Sequence, residues 1–576
     1  MSESITASDW ATTLMSGLAD AGVRTVVVSP GSRSTNLVLA AHAHSDLSTH
    51  VIIDERVAGF TALGLAKRQG SAVALICTSG SAGAHYLPAL IEASHAGIAL
   101  IVLTADRPPE AHHVGAGQTT DQTRLFGPYA KECINLGAPT RDGIRWTVNA
   151  ALHAVRLAET IPRGAVHINA AFRKPFWQAA DDAGAQRRSL TRIQCRQMHD
   201  DILPAAVQDL IGRAQRGVIV VGPLIGMHDR GRERRQATIL AFAERMKWPV
   251  LADILSGMRS PSPSQTMCFA YDLVLRDQGR RERLKPDLVI SIGRSPTSKV
   301  LNHWLKRCSG LNHIRFEENG TWSDVDATST IAIEGSADAL ASVNGTVNTE
   351  VGWLDEWHAL LRPIQATVNA ARATLPPTLT EPDVVDAVSS GLAAGDWMHL
   401  ASGLPVRDFD VFCLHPRSTN IVANRGVNGI DGMVSTSLGL ALNAAEDAVI
   451  CILGDIAVRH DIGGLLAASE SECPLLVVVN DNGGGAIFKR LPIQAKSDVF
   501  ESYFFTPQRV DLGKFLPALA RRYACVEDLA SFESSFQAFK GQPGLSILHA
   551  RIDLETDAAF RHAVGDDLGH EGTQTS

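Results

Sequence analysis

VICILGDIAVRHDIGGLL, residues 449–466, opens with an apolar run that stops abruptly at a Gly-Asp pair. A second apolar run, PLLVVVNDNGGG (474–485), ends in an Asn-Asp-Asn triplet. Their continuous apolar character is typical of strands that are buried on both faces of a parallel sheet. The segment between them, residues 456–472, has the length and composition of one crossover helix. Because a right-handed crossover brings two strand ends to one edge of the sheet, the pattern predicts that Asp455 and Asn482 lie close together.

An oxygen-rich cluster is therefore expected at this edge of the sheet. Oxygens of Asp455 and Asn482, with the flexible backbone of Gly483, Gly484 and Gly485, are placed to converge on one cation. Such a ligand set suits Mg²⁺ better than zinc, and Mg²⁺ commonly completes its octahedron with phosphate oxygens and water. The helix after the Gly-Asp pair also points its N-terminus towards an anion. Each feature alone is typical of a helix cap or a plain loop, but their joint occurrence at strand ends favours a ligand site.

Length and composition limit the class of protein. The 576 residues predict three or four domains, and the net charge of −8 argues against non-specific nucleic-acid binding, which needs a basic surface. The start, MSESITASDW, lacks the pattern of a signal peptide, and no apolar run reaches the roughly 18 residues that span a bilayer. The nine cysteines occur singly, without a C-x-x-C pair, which argues against a disulfide framework or a zinc site. We therefore expect a soluble, cytoplasmic protein without membrane insertion.

Strand-like runs alternate with helix-length segments along the whole chain, and this order predicts parallel sheets covered by helices. The polar stretch AADDAGAQRRS (179–189) is interpreted as a linker, and ATLPPTLTEPD (373–383) as a second boundary. The expected fold class is α/β, with three doubly wound parallel-sheet domains. The predicted domains are 1–185, 190–365 and 380–576. The polar tail from about Arg561 is expected to fray.

The Gly-Asp and Asn-Asp-Asn elements resemble the diphosphate- and metal-binding motif of thiamine-diphosphate enzymes. The resemblance implies thiamine diphosphate with Mg²⁺ or Mn²⁺, the metal being held by Asp455, Asn482 and Gly484. Such an enzyme needs a carboxylic acid that hydrogen-bonds the aminopyrimidine ring and thereby helps to deprotonate the thiazolium C2 carbon. Glu55, which ends the strand-like HVIIDE and opens an apolar helix, fits this role. The alternative is a carboxylate that is placed only for the helix dipole.

In this family the acid and the metal site belong to different domains and meet across a subunit interface. The resemblance therefore implies self-association as a homodimer or a dimer of dimers. It also implies that Ile430 is the apolar wedge that holds the cofactor in a bent shape.

Further motifs narrow the resemblance. SPGSRSTNL (29–37), DERVAGFTALGLAK (54–67), CTSGSAGAHYLPALIEA (77–93), ANRGVNGIDGMVSTSLG (423–439) and NDNGGGAIFKRLP (480–492) occur in this order. Together they are similar to the family of 2-succinyl-5-enolpyruvyl-6-hydroxy-3-cyclohexene-1-carboxylate synthases, which act in menaquinone biosynthesis. The resemblance implies a transferase that decarboxylates 2-oxoglutarate and adds the succinyl carbanion equivalent to isochorismate in a Stetter-like 1,4-addition.

Both implied substrates are dianions, and the planar fork of arginine grips carboxylates better than lysine does. By resemblance, the residues expected to bind isochorismate are Ser32, Arg33, Arg107, Gln118 and Lys299. Those expected to bind the succinyl carboxylate or the adduct are Arg407 and Arg425. Those expected to form the apolar wall of the pocket are Ile487, Phe488 and Leu491, for which simple core packing is the alternative. The chain departs from the family pattern at Gly117, Val300 and Gly403.

Two other classes of function stay open. His112-His113 resembles the tandem histidines that relay protons in thiamine-dependent 2-oxo acid decarboxylases, whose product would be an aldehyde; two exposed loop histidines are the simpler interpretation. A non-catalytic cofactor-binding module is the second alternative, and Glu55 discriminates against it because binding alone does not need the acid. Dinucleotide and P-loop patterns are absent from the sequence.

Overall fold

The structure is a computed structural model, in which the chain forms two compact units. The first unit comprises Met1–Met198, Asn424–Asn443 and Asp461–Glu470, and the second comprises His199–Ala423, Ala444–His460 and Ser471–Ser576. The predicted linker at 179–189 lies outside the residues that the structure describes. The described residues are 6–140, 143–174, 176, 202–224, 231–260, 263–308, 311–318, 320, 323–344, 347–444 and 447–565.

The first unit is built on a six-stranded parallel sheet. Its strands are β1 (Thr25–Val28), β2 (Ser48–Val51), β3 (Val73–Cys77), β4 (Leu100–Asp106), β5 (Ala130–Gly137) and β6 (Ala165–Ala171). The helices along this stretch are α1 (Ala7–Asp20), α2 (Thr35–Ala43), α3 (Glu55–Gln69), α4 (Leu87–Ala96) and α5 (Ile144–Glu159). The strand order is β2-β1-β3-β4-β6-β5. Strands β1, β3, β4 and β6 are buried along their whole length, as expected for strands covered by helices on both faces.

Helix α3 is held within the first unit by a segment from far along the sequence. Both partners are glycine-rich where they meet: a Cβ added at Gly64 would overlap the carbonyl oxygen of Thr436, and one added at Gly439 would overlap that of Thr61. The buried carboxylate of Glu92 accepts hydrogen bonds from the backbone N–H groups of Gly426 and Val427, both at 2.9 Å. Residues 424–443 are therefore an integral part of the first unit.

The second sheet has five parallel strands and lies in the second unit. Its strands are β7 (Gly217–Val221), β8 (Val250–Ala252), β9 (Leu288–Ile292), β10 (Asn312–Phe316) and β11 (Ile331–Ile333). The helices along this stretch are α6 (Ala205–Arg213), α7 (Arg232–Met246), α8 (Tyr271–Leu275), α9 (Gln278–Arg283), α10 (Lys299–Arg307) and α11 (Trp353–Ala373). The strand order is β11-β10-β9-β7-β8.

The third sheet, also in the second unit, has six parallel strands. They are β12 (Trp397–Leu400), β13 (Asn420–Ala423), β14 (Val449–Gly454), β15 (Leu475–Asp481), β16 (Arg522–Val526) and β17 (Leu545–Arg551), in the order β13-β12-β14-β15-β17-β16. The helices along this stretch are α12 (Glu381–Gly391), α13 (Leu404–Phe412), α14 (Met433–Leu442), α15 (Asp455–His460), α16 (Ile462–Ser469), α17 (Ser497–Phe500), α18 (Leu512–Phe515), α19 (Leu529–Phe539) and α20 (Leu554–Ala563). Three parallel sheets flanked by helices confirm the predicted fold class.

Two local expectations are wrong. The connection from β14 to β15 is not one helix but two, α15 and α16, because the chain breaks at Asp461, whose φ and ψ are −117° and 42°. The Asp461 carboxylate accepts hydrogen bonds from the backbone N–H and the hydroxyl of Ser435, both at 2.7 Å. The described part of the tail does not fray, because Arg561 is buried in ion pairs and α20 continues to Ala563, whereas residues 566–576 lie outside the described residues. Across the described residues, no helix combines the length and the apolarity needed to cross a membrane.

Candidate active site

The carboxyl edge of the third sheet carries the predicted cation ligands. Strands β14 and β15 are direct neighbours, and Gly454 at the end of one pairs with Asn480 near the end of the other. Asp455 is the first residue of α15 and is 1% exposed, while Asn482 follows β15 and is 9% exposed. The parallel register therefore brings both side chains to one edge.

Three oxygens at this edge are buried without a protein partner. Among the described residues, nothing donates a hydrogen bond to Oδ2 of Asp455 or to Oδ1 of Asn480 and Asn482. Burial raises the pKa of Asp455 to about 7, and the negative charge of Asp481 adds to this shift. Buried oxygens without donors are costly unless a ligand satisfies them, and a cation would favour the charged form of Asp455. The donor set thus fits a hard divalent cation such as Mg²⁺.

Close packing requires two of the three glycines after Asn482, and backbone conformation favours the third. A Cβ added at Gly484 would overlap the carbonyl oxygen of Phe505, and the N–H of Gly485 donates to that same oxygen at 2.6 Å. Gly483 has a φ of +77°, in the left-handed region that glycine adopts readily. The turn therefore runs against the backbone of Phe504 and Phe505.

Two charged residues that the sequence analysis missed support Asn482. Its amide Nδ2 donates to Oε1 of Glu381 at 2.8 Å, and Glu381 is buried beside Asp408 and Arg561. Burial, and then the charges of Asp408 and Asp557, hold the pKa of Glu381 well above its usual range. Burial would also raise the pKa of Asp408, but the positive charge of Arg561 and the hydrogen bonds from Arg561 and Glu381 together outweigh it and lower that pKa. No sequence pattern indicated this cluster, because Glu381 and Arg561 lie in segments interpreted as a boundary and as a frayed tail.

Glu55 lies at the carboxyl edge of the first sheet. It is the first residue of α3, where Asp54 caps the helix by accepting from the N–H of Arg56 at 2.9 Å. The Glu55 side chain is half-buried. Burial raises the pKa values of Cys77 and Tyr86, and the negative charge of Glu55 raises both further, so the carboxylate faces the ends of the inner strands. This is the edge at which parallel sheets bind ligands.

Three of the predicted isochorismate residues gather at the same edge of the first sheet. Arg33 is 5% exposed, and burial lowers its pKa, as does the positive charge of Arg107; the charge of Asp106 opposes these effects. Arg107 Nε donates to the carbonyl oxygen of Gln118 at 3.4 Å. Arg33 donates to the carbonyl oxygen of Phe172 at 2.5 Å, yet its Nε has no partner among the described residues. Two neighbouring guanidinium groups balanced by one buried aspartate leave excess positive charge, which suits an anion.

The remaining predicted residues take separate positions. Ser32 is exposed beside Arg33, and Lys299 is exposed in the first turn of α10 on the second sheet. In α13, Arg407 donates to the carbonyl oxygens of Ser402, at 2.7 Å, and Gly403. The half-buried Arg425 and Ile430 lie in residues 424–443 of the first unit.

The predicted apolar wall lies just after the glycine turn. Ile487 is half-buried, whereas Phe488 and Leu491 are 37% and 42% exposed. Phe488 packs edge-on against Phe504, with 5.9 Å between ring centroids. Large apolar side chains with this exposure are available to line a pocket, so core packing does not account for Phe488 and Leu491.

The paired histidines differ in their surroundings. Nε2 of His112 lies 3.1 Å from the carbonyl oxygen of Arg107 and 3.6 Å from Oδ1 of Asp106. His113 is exposed, and its φ of +61° is in the left-handed region. His112 therefore braces the backbone that carries Arg107.

Comparison with known proteins agrees with this geometry. Three family models match the chain: the N-terminal TPP-binding domain of thiamine pyrophosphate enzymes over residues 9–125, the middle domain over 186–396, and the C-terminal TPP-binding domain over 411–550. Relatives named 2-succinyl-5-enolpyruvyl-6-hydroxy-3-cyclohexene-1-carboxylate synthase match almost end to end. The relative from Geobacillus kaustophilus is 34% identical, with 98% of each chain covered. The relative from Bacillus velezensis is 35% identical (95% of this chain and 94% of the relative), and that from Myxococcus xanthus 37% (94% of each).

Proposed function

The chain belongs to the family of 2-succinyl-5-enolpyruvyl-6-hydroxy-3-cyclohexene-1-carboxylate synthases among the thiamine-diphosphate enzymes, and we propose that it catalyses their reaction. It decarboxylates 2-oxoglutarate and joins the remaining four-carbon unit to isochorismate by 1,4-addition. The products are CO₂ and the cyclohexene carboxylate of the family name, an intermediate of menaquinone biosynthesis. The observation that carries the proposal is the pair of buried oxygens, from Asp455 and Asn482, at the edge of the third sheet.

Five residues are assigned to the cofactor and its metal. Asp455, Asn482 and the carbonyl of Gly484 would hold Mg²⁺ or Mn²⁺, which offsets the charge of the diphosphate. When bound, thiamine diphosphate would supply a carbon nucleophile and an electron sink for the pair left behind by departing CO₂. Glu55 would hold a proton at the aminopyrimidine ring, and the side chain of Ile430 would pack against the cofactor.

The substrate residues act by charge and by exclusion of water. Arg33 and Arg107, with Ser32, Gln118 and Lys299, hold the carboxylates of isochorismate, while Arg407 and Arg425 hold the succinyl carboxylate. The N–H groups of Gly426 and Val427 are fixed by Glu92, so the backbone beside Arg425 is held in place. The side chains of Ile487, Phe488 and Leu491 keep water from the reacting groups, which strengthens each arginine–carboxylate contact.

We also propose that the protein is cytoplasmic and acts as a homodimer or a dimer of dimers, with domains at 1–185, 190–365 and 380–576. Exposed apolar side chains near Glu55 support association. Val51 and Ile53 precede it in sequence, and Ile462 and Leu466 lie on α16, next to Gly463, where an added Cβ would touch Val57 of α3. Burying such a group against a second copy is favourable.

The function is tested by incubating the protein with thiamine diphosphate, Mg²⁺ and each substrate alone or both together. We expect the isochorismate absorbance to disappear only when 2-oxoglutarate is present. Rapid aldehyde release from 2-oxoglutarate alone would instead favour the decarboxylase alternative with His112 and His113. Binding of the cofactor without any turnover would favour the non-catalytic module.

Arg107→Ala is expected to impair the use of isochorismate but not that of 2-oxoglutarate. We expect kcat/KM for isochorismate to fall about 100-fold, because a charge-assisted hydrogen bond to a carboxylate is lost. Oxidation of 2-oxoglutarate with ferricyanide as an artificial electron acceptor should stay within about twofold of wild type, since this half-reaction does not need isochorismate. Arg156→Ala, on the exposed face of α5, is the matched control. An equal loss in both assays would contradict the assignment of Arg107 to isochorismate.

A further inference from the structure

The amide of Asn482 is held in one orientation. Its Nδ2 donates to Oε1 of Glu381 at 2.8 Å, while its Oδ1 is buried and has no donor among the described residues. The oxygen and nitrogen of an amide have nearly the same size and shape, so packing alone does not choose between the two orientations. The hydrogen bond to Glu381 makes the choice, and it leaves the oxygen free for a cation.

Glu381 is itself fixed from several sides. Its backbone N–H donates to Asp557 Oδ1 at 3.0 Å, and its Oε2 lies 3.4 Å from a guanidinium nitrogen of Arg561. The same guanidinium donates to both oxygens of Asp408, at 2.7 and 2.9 Å, and to Asp557 at 2.6 Å. All four side chains are buried. Helices α12, α13 and α20 therefore meet in one charged cluster behind Asn482.

We propose that Glu381 is a positioning residue for the metal site, and that Arg561 on the last helix locks it in place. This inference rests on the proposed function, because it assigns Oδ1 of Asn482 to the cation that accompanies thiamine diphosphate. Without the acceptor oxygen of Glu381, the Asn482 amide can turn its NH₂ group towards the cation. The NH₂ group and the cation then repel each other. Groups that orient a metal ligand typically change metal affinity by about 10- to 100-fold when they are removed.

The test measures binding instead of turnover. Thiamine diphosphate is titrated into the full-length protein by isothermal calorimetry at a series of Mg²⁺ concentrations. We expect Glu381→Leu to raise the Mg²⁺ concentration needed for half-maximal binding about 10- to 100-fold. Glu381→Gln, which keeps an oxygen that accepts from Asn482, should stay within about threefold of wild type. Glu381→Met, of similar length but without an acceptor, is a second variant in case the leucine does not fold.

A purely structural role makes a different prediction. Glu381→Leu and Glu381→Met would then lower the unfolding temperature but leave the Mg²⁺ requirement at 20 °C, about 25 °C below a typical unfolding range, unchanged. That result would overturn the inference and leave the proposed function intact. Equal loss in the Gln and Leu variants would overturn it too. Failure of the wild-type protein to bind thiamine diphosphate at any Mg²⁺ concentration would overturn the proposed function and this inference together.

Discussion

Glu55→Gln is expected to lower kcat about 1,000-fold while thiamine diphosphate still binds within about tenfold of the wild-type affinity. The glutamine keeps the size of the side chain and a hydrogen-bonding oxygen, so the cofactor is still held. It has no exchangeable acid proton, so the aminopyrimidine can no longer be switched between tautomers. The substitution lies at the first position of α3, where Asp54 provides the cap, so the helix keeps its start.

Steady-state turnover of isochorismate and calorimetric binding of thiamine diphosphate measure the two parts of this prediction. Glu132→Gln is the matched control, because Glu132 is exposed on β5 and forms an ion pair with the exposed His153. It should be indistinguishable from wild type. Near-normal turnover in Glu55→Gln would remove the acid from the mechanism and reopen the possibility of a module that only binds the cofactor.

Asp455→Asn is expected to raise the Mg²⁺ concentration for half-maximal activity by about 100-fold or more, with a parallel loss of thiamine diphosphate affinity. The substitution removes the full negative charge among the predicted ligands and replaces one oxygen with an NH₂ group. The polypeptide itself should be at least as stable without cofactor, because burial raises the pKa of Asp455 to about 7 and its charge is costly at neutral pH. The loss of stability from ionising the buried Asp455 is absent below the ordinary pKa of an aspartate. It grows as the pH rises towards 7.

Two measurements on the same protein check this pair of effects. Calorimetry with Mg²⁺ and thiamine diphosphate follows the loss of binding, and thermal unfolding without cofactor follows the stability. Glu533→Asn, an exposed carboxylate on α19 of the same unit, is the control and should change neither. A normal Mg²⁺ requirement in Asp455→Asn would place the cation elsewhere.

Mixing the two variants tests whether each site is shared between chains. If chains exchange at random, half of the dimers contain one chain of each kind, and each mixed dimer has one intact site out of two. We therefore expect about a quarter of the wild-type activity from two preparations that are inactive alone. No recovery after exchange, verified with tagged chains, would mean that Glu55 and Asp455 of one chain serve the same cofactor.

The sequence was most informative for polar side chains that follow the end of a strand. Asp455, Asn482 and Arg107 each lie at the end of an apolar run, and a parallel sheet places such residues at its carboxyl edge. The start of α3 at Glu55 was equally readable, because a strand-like run ends there and an apolar helix begins. In these cases the local pattern and the tertiary position are tied together by the geometry of the sheet.

The buried residues that hold Asn482 in place could not be predicted from the sequence in the same way. Glu381 and Asn482 are 101 positions apart, and nothing in the spacing indicates that their side chains meet. Arg561 looked like part of a polar tail, but in the structure it is buried against the carboxylates of Glu381, Asp408 and Asp557. The helix break at Asp461 could not be predicted from the sequence either, because Asp461 accepts its hydrogen bonds from Ser435, which lies on a different helix.

The noncontiguous first unit constrains the order of events on the ribosome. Its six-stranded sheet is complete once residue 171 has emerged, but the glycine face of α3 and the carboxylate of Glu92 wait for residues 424–443. During the intervening synthesis this face stays open to water and to other nascent chains. The helix that begins with Glu55 is consequently translated early but fully packed only late in elongation.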